Sequence, residues 1–303
     1  MYSFYEKSMV LAGKQMALLN AQYKTLPKSL ADFEFKVFSQ FGEDGILDWL
    51  VEKLSPMPEV FIEFGVENYE ESNTRFLLLN RNWRGLVMDG SQSNVEFIQN
   101  STLYWQRDLT AKTAFITREN IEEIIEQSGF AGEIGILSID LDGNDYWVWE
   151  AISNVNPHIV VCEFSTVFGD VYPITIPYMK NFTRMALHHS GQYFGASIPA
   201  LLHLAEQKGY TCVGTASTGV NAFFVRNDLA AKIRNILPEA VLYPARHSDT
   251  RAKTGQLTYL RGQERLNLIG RLPVVNVVSG ETQLIKQLPS LYSEAWQNKM
   301  KGY

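Results

Sequence analysis

Five short apolar runs in this chain carry an acidic residue at their far end: Glu63 in VFIEF, Asp89 in GLVMD, Asp108 in LYWQRD, Asp140 in IGILSID and Glu163 in HIVVCEF. Each alone is ordinary. A carboxylate at the mouth of a buried strand loses hydration, so a cation or a set of hydrogen-bond donors must compensate it. Five of them on one edge of a sheet suit a ligand that is partly cationic. The densest group is SIDLDGNDYWVWEAI, with Asp140, Asp142 and Asp145. A calcium loop of the D-x-D-x-D-G type fails there, because Asp145 takes the sixth position, where glycine is needed, and Ala151 the twelfth. Two chemistries stay open: a carboxylate acting as general base, or Asp140, Asp142 and Glu163 holding one Mg2+ through oxygen ligands. Asn144 and Asp145 read as a turn capping the helix that carries Trp147 and Trp149, whereas Asp140 still belongs to the strand. His188 and His189, adjacent in an irregular stretch, are further candidate bases.

Glycine placement narrows the ligand. A pyrophosphate loop needs G-x-G-x-x-G so that phosphate can approach three backbone positions, and Glu63-Phe64-Gly65-Val66-Glu67-Asn68 supplies only Gly65. An NAD site is therefore disfavoured. Asp89 follows Gly65 by 24 residues, the place from which an acidic side chain at the tip of a second strand grips ribose hydroxyls. Asp89-Gly90-Ser91 equally reads as a helix N-cap, and Gly65 as a plain strand-end turn. Asp108, before Leu-Thr, is placed either to meet an adenine amino group or to make a turn.

The elements that must position these residues follow from periodicity. Between the five runs lie the helical patterns NTRFLLLNRN, SNVEFIQN, ENIEEIIEQSG and YWVWEAISN. Strand, helix, strand repeated four times predicts a parallel sheet covered on both faces. Two later runs, YTCVGTAS (210–217) and VNAFFVR (220–226), are separated only by Thr218 and Gly219, too short for a crossover, so they form an antiparallel hairpin. Ahead of the sheet, SQFGEDGILDWLVEKL is helical until Pro56 and Pro58. Residues 1–34 read as a helical extension whose stripe of Tyr2, Tyr5, Met9, Val10, Met16 and Leu19 predicts a lid or a contact within a homo-oligomer. Residues 35–237 form the main domain, including an irregular segment, 165–195, whose Tyr172, Tyr178, Phe182 and Tyr193 suit an acceptor wall or an anchor to the sheet. Residues 238–303 are a C-terminal extension with one hairpin-like piece, LPVVNVVSGETQLI.

Composition sets the outer bounds. At 303 residues the chain is one large domain with embellishments or two small ones, and 46% hydrophobic against 20% charged residues excludes disorder. With 27 Lys plus Arg against 33 Asp plus Glu, a net charge of -6 gives no global field toward nucleic acid or an anionic membrane. Two cysteines outside any CxxC exclude a disulfide framework and structural zinc, and predict a reducing compartment. Glu6, Lys7 and Lys14 interrupt the first apolar stretch, so no membrane span or signal peptide is expected and the cytoplasm is.

A five-stranded parallel half closed by an antiparallel hairpin resembles the class I S-adenosylmethionine-dependent methyltransferase fold, an α/β, Rossmann-like seven-stranded sheet whose last strand lies reversed beside the fifth. That strand order is what the resemblance implies; it keeps Cys162 and Cys212 apart. S-Adenosylmethionine carries a sulfonium, an ammonium and a carboxylate but no phosphate, which suits one glycine among acidic strand ends. The blocks SQFGEDGIL (39–47), FIEFGVENYEESNTRFLL (61–78), GLVMDGSQSNV (85–95), SIDLDGNDYWVWEAI (138–152), VVCEF (160–164) and GVNAFFVRND (219–228) are similar to the FkbM-type methyltransferases, which act on hydroxyls of sugars and small metabolites.

Over residues 35 to 230, roughly, the resemblance implies that Glu63 and Gly65 form the first cofactor motif with Asn68, and that Asp89, Gly90 and Ser91 take the ribose. It implies further that Asp140 lies beside the transferred methyl and that Gln40 with Glu43-Asp44 leads into the same pocket. Glu67 stands where many relatives have a small residue, and either narrows the loop or binds the cofactor's ammonium. The implied activity is O-methylation of a sugar, glycan precursor or small-metabolite hydroxyl, with Mg2+ as a further cofactor in the metal version. A Rossmann-like nucleotide-dependent oxidoreductase and a non-catalytic binding module of the same fold are the alternatives.

Overall fold

The computed structural model describes residues 2–22 and 27–301, with side chains from Phe4 onward, so Tyr2 of the predicted stripe lies outside the described side chains. Ten strands run in chain order: β1 Val60–Phe64, β2 Arg84–Asp89, β3 Leu109–Thr113, β4 Gly132–Ile139, β5 Val155–Glu163, β6 Ile174–Thr175, β7 Tyr210–Thr215, β8 Asn221–Arg226, β9 Pro273–Asn276 and β10 Thr282–Leu284. Seven form one sheet in the order β3-β2-β1-β4-β5-β8-β7. β1 to β5 are parallel, and β8 pairs antiparallel with both β5 and β7. This is the class I methyltransferase order, with the last strand of the sheet reversed beside β5. Cys162 opposes Ala222 and Cys212 opposes Phe224, so β8 separates the two thiols, and both are free.

Strands buried on both faces need continuous apolar runs, which is why VFIEF and HIVVCEF read so plainly. One face is covered by a core containing Trp149, Tyr146 and Phe224, the other by one containing Trp49, Phe61 and Phe223. The helices that cover them begin with α1 Tyr2–Ala21, α2 Glu43–Leu54, α3 Arg75–Asn80 and α4 Gln92–Gln99. They continue with α5 Thr102–Gln106, α6 Ile121–Gln127, α7 Asp145–Ala151, α8 Arg184–Leu187 and α9 Ile198–Lys208. α10 Asn227–Arg234, α11 Gly262–Ile269 and α12 Glu294–Lys301 complete the set.

One expected strand is not a strand. LYWQRD begins within α5, where Ser101 Oγ accepts from the Tyr104 N–H at 3.3 Å as an N-cap and Trp105 points to solvent. The third strand is the next segment, LTAKT, whose mixed polarity hides it because it forms the edge of the sheet. Asp108 therefore precedes β3 instead of ending it.

The N-terminal helix is held by specific contacts. Gly13 of α1 lies so close to Phe76 and Val37 that a Cβ there would sit 2.6 Å from each. Glu6 pairs with Arg75 at 2.7 Å, and Asn20 Nδ2 donates to the Phe33 carbonyl at 2.8 Å. These contacts fix α1 beside α2 and α3 and leave Phe4, Tyr5, Leu11, Leu18 and Leu19 exposed. At the other end, β9 pairs with β6 and β10 in a three-stranded sheet, and the Tyr292 hydroxyl donates to the Val167 carbonyl at 2.9 Å. Residues 238–303 thus dock on the irregular segment that follows β5. No helix among the described residues is long and apolar enough to cross a membrane.

Candidate active site

A cleft of about 660 Å³ opens beyond the carboxyl ends of β1, β2, β4 and β5, where an open parallel sheet binds ligands. Its floor is set by Gly65. This residue has φ of +69°, and an added Cβ would lie 1.8 Å from the Asp140 carbonyl oxygen, so only glycine lets the end of β1 turn against β4. Its N–H donates to the Met88 carbonyl at 2.9 Å, while the Glu67 N–H donates to Asp89 Oδ2 at 2.9 Å. Asp89 Oδ1 accepts from the Ser91 N–H at 2.8 Å and from Asn94 Nδ2 at 3.0 Å. Ser91 is the N-cap of α4, so capping and the carboxylate at the β2 tip fall to different residues.

Glu63 is turned to a structural task. Its carboxylate accepts from the Asn73 N–H at 2.7 Å, the Thr74 N–H at 3.1 Å and the Thr74 hydroxyl, tying β1 to the start of α3. Burial pushes its pKa up to about 7. Asp44 does the same for the preceding loop: Oδ2 accepts from the backbone of Val37, Phe38 and Ser39, which carries Gln40 and Phe41 into the cleft. Its burial raises the pKa to about 6. Glu43 accepts from the Gly42 N–H at 2.9 Å and from Asn221 Nδ2 at 3.1 Å, leaving the buried Asn221 Oδ1 without a partner at the cleft wall.

The acidic cluster is compact. Asp145 accepts from the Leu141 and Gly143 N–H groups at 2.7 and 2.9 Å, closing the turn, and its burial raises its pKa to about 6. Asp140 and Glu163 are both pushed well above the usual carboxyl range, first by burial and then by neighbouring negative charge. Glu163 Oε2 is buried without a hydrogen-bond partner. Two such carboxyls share protons instead of ionising together. Asp140, Asp142 and Glu163 each offer an oxygen within 4.8 Å of the others, and with the orphaned Glu163 oxygen this set fits an oxygen-ligated divalent ion. Arg184 competes for it, since its guanidinium bonds Asp142 at 2.8 Å.

Several residues lie outside the reach of periodicity. Phe182 packs on Gly143, where a Cβ would lie 2.0 Å from its ring. Arg184, stacked 3.9 Å over the Phe194 ring, bridges Asp142 to Asp249 at 2.9 Å, and His247 lines the same end. Ala114, Phe115 and Ile116, just past β3, line the other end. Asp108 is at the opposite edge of the sheet, mostly exposed and 3.8 Å from Arg84. His188 and His189 do not line the cleft; His188 Nδ1 bonds Ser190 Oγ at 2.7 Å. Asn68 faces a separate groove beside Arg75. Gln40, Glu67 and Gly90 line the cleft, as do Asp140, Asp142 and Glu163. Of the aromatics expected as an acceptor wall, Phe182 lines it; the Tyr193 hydroxyl instead bonds the Pro273 carbonyl and the Tyr178 hydroxyl bonds Glu119, both at 2.5 Å.

No family model and no curated protein matches the chain. Among solved structures it is similar to the N-terminal domain of EvdMO1 with SAH bound, at 11% identity, a TM-score of 0.39 and coverage of 70% of this chain and 94% of that one. An O-methyltransferase from Bacillus cereus in complex with SAH is similar at 12% identity and a TM-score of 0.40, covering 72% and 89%. An S-adenosylmethionine-dependent methyltransferase from Clostridium acetobutylicum is similar at 10% identity and a TM-score of 0.34, covering 59% and 90%.

Proposed function

We propose that the chain is an S-adenosylmethionine-dependent methyltransferase of the FkbM type that methylates a hydroxyl of a sugar or other small-molecule acceptor. The observation that carries this reading is the contact of Gly65 with the Asp140 carbonyl, together with the Glu67-to-Asp89 hydrogen bond. These join Gly65, Asp89 and Asp140 into one continuous wall with a single close backbone approach, which suits a nucleoside without a pyrophosphate. Bound S-adenosylmethionine would supply an electrophilic methyl on a sulfonium. Asp89 would hold the ribose, Ala114 to Ile116 would face the base, and Asp140 would border the methyl.

A neutral hydroxyl is a weak nucleophile and needs a base within hydrogen-bond reach. We assign that role to the Asp140–Glu163 pair. Burial and mutual repulsion push both carboxyls well above the usual range, so the pair holds one proton between them and leaves one carboxylate to accept the acceptor's proton. In the metal version, Asp140, Asp142 and Glu163 would hold Mg2+, which would lower the pKa of the hydroxyl. Phe182 and Arg184 would position the acceptor over this pair and exclude water.

The test is calorimetry with S-adenosylhomocysteine against NAD, followed by transfer of labelled methyl from S-adenosylmethionine to a panel of sugars. Saturable binding of S-adenosylhomocysteine and none of NAD is expected. The reverse preference would refute the reading.

A further inference from the structure

Behind Glu163 and Arg184 the cleft continues into a small recess of about 40 Å³, whose lining includes Glu163, Thr166, Arg184, Gln192, His247 and Arg265. Arg265, on α11, is only 6% exposed, yet its Nε is buried without any hydrogen-bond partner. Its guanidinium reaches hydroxyls, Thr166 Oγ1 at 3.4 Å and the Tyr292 phenol, and among the described residues no ion pair includes it. The neighbouring charges are already committed. Asp249 holds Arg184 at 2.9 Å and accepts from Gln192 Nε2 at 2.8 Å, and Arg184 also holds Asp142.

A buried guanidinium without an anion is costly, so a fold that keeps one beside a cavity has a use for it. We propose that this recess is a subsite for a carboxylate of the methyl acceptor, so that the acceptor belongs to the hydroxy acids, with sugar acids such as uronates the class that fits best. The proposal rests on the methyltransferase reading for the word acceptor; the anion site stands on Arg265 itself. The planar fork of arginine matches a carboxylate. A water needs roughly 10–15 Å³, so the recess takes a group of about three heavy atoms, which is the size of a carboxylate. Glu163, Arg184, His247 and Asp249 line both the cleft and the recess, so a carboxylate held here lies a short chain away from a hydroxyl at the Asp140–Glu163 pair.

The experiment measures binding of D-glucuronate, its methyl ester and D-glucose by ligand-observed NMR, with and without S-adenosylhomocysteine, to the wild type and to Arg265→Met and Arg265→Lys. Glucuronate is expected to bind the wild type at least about tenfold more tightly than the ester or glucose. Arg265→Met should bring the acid to the level of the ester without changing S-adenosylhomocysteine affinity. Arg265→Lys keeps the charge but loses the fork, should retain part of the preference, and serves if the methionine variant does not fold. Equal binding of acid and ester to the wild type, no binding of either, or a preference that persists in Arg265→Met would overturn the subsite. A carboxylate preference lost in Arg265→Met, in a protein that fails to bind S-adenosylhomocysteine, would support the anion site and refute the methyltransferase reading.

Discussion

Gly65→Ala tests whether the turn after β1 is built for close approach. Two costs should combine. The left-handed φ of +69° disfavours any L side chain by about 1–2 kcal/mol. The new Cβ would also lie 1.8 Å from the Asp140 carbonyl oxygen, and a backbone carbonyl at the end of a central strand cannot swing aside as a side chain would. Forced overpacking of this kind adds about 1–3 kcal/mol, for a total of about 2–5 kcal/mol. Gly209→Ala is the internal control: its φ is +79° at the C-terminal cap of α9, with nothing within 4 Å of an added Cβ, so it bears the first cost alone. Urea denaturation of both variants separates the costs, and calorimetry with S-adenosylhomocysteine reads the site. Gly65→Ala should lose more stability than Gly209→Ala and most of its binding, while Gly209→Ala binds normally. Equal destabilisation with unchanged binding in both would refute the reasoning.

Three other outcomes are expected. Asp89→Ala, which removes the acceptor of the Glu67, Ser91 and Asn94 bonds and the proposed ribose contact, should weaken S-adenosylhomocysteine binding about tenfold to a hundredfold by calorimetry; unchanged affinity in a folded variant removes Asp89 from the site. Asp140→Asn and Glu163→Gln should each lower kcat by about 10²–10⁴ while keeping cofactor affinity, and wild-type turnover should rise with pH as the pair gives up the first of its two protons and one carboxylate becomes free. Chelation should leave that turnover intact, whereas a loss restored by Mg2+ would transfer the role to a metal. Glu63 titrates at about 7 when folded against 4.5 ordinarily, so its contribution is fully present below pH 4.5 and is lost as pH rises through 7, a swing of about 3 kcal/mol. Glu63→Gln should flatten the fall in denaturation midpoint between pH 5 and 8, and an unaltered slope would contradict the assignment.

What was legible in the sequence tracks the parallel sheet. Gly65, Asp89, Asp140 and Glu163 announce themselves because each stands at or just past the end of an unbroken apolar run, and β1, β4 and β5 are buried along most of their length. Asp108 misled because Thr102–Gln106 mixes Leu, Tyr and Trp in a pattern too short to distinguish a helix from a strand. Phe182, His247 and Asp249 lie in irregular backbone and Arg184 on the single turn of α8, where position is set by tertiary contacts such as Phe182 on Gly143, and no period marks them. Arg265 is harder still. It sits on an amphipathic helix where an arginine ordinarily faces water, and only the docking of residues 238–303 buries it.

The reversed position of β8 has a consequence for how the chain is made. β5 pairs on its outer side with β8, not with β7, although β7 emerges from the ribosome first. While residues 164–220 are being synthesised, the Ile159–Glu163 edge has no lasting partner, and an unpaired edge of a largely apolar strand is of the sort that recruits other chains. β7 must wait as a sequence without a place until its successor arrives to seat it. Slow elongation through this stretch should therefore favour self-association of nascent chains, and a holdase that covers one strand edge should matter more for this fold than for one whose strands are added in order.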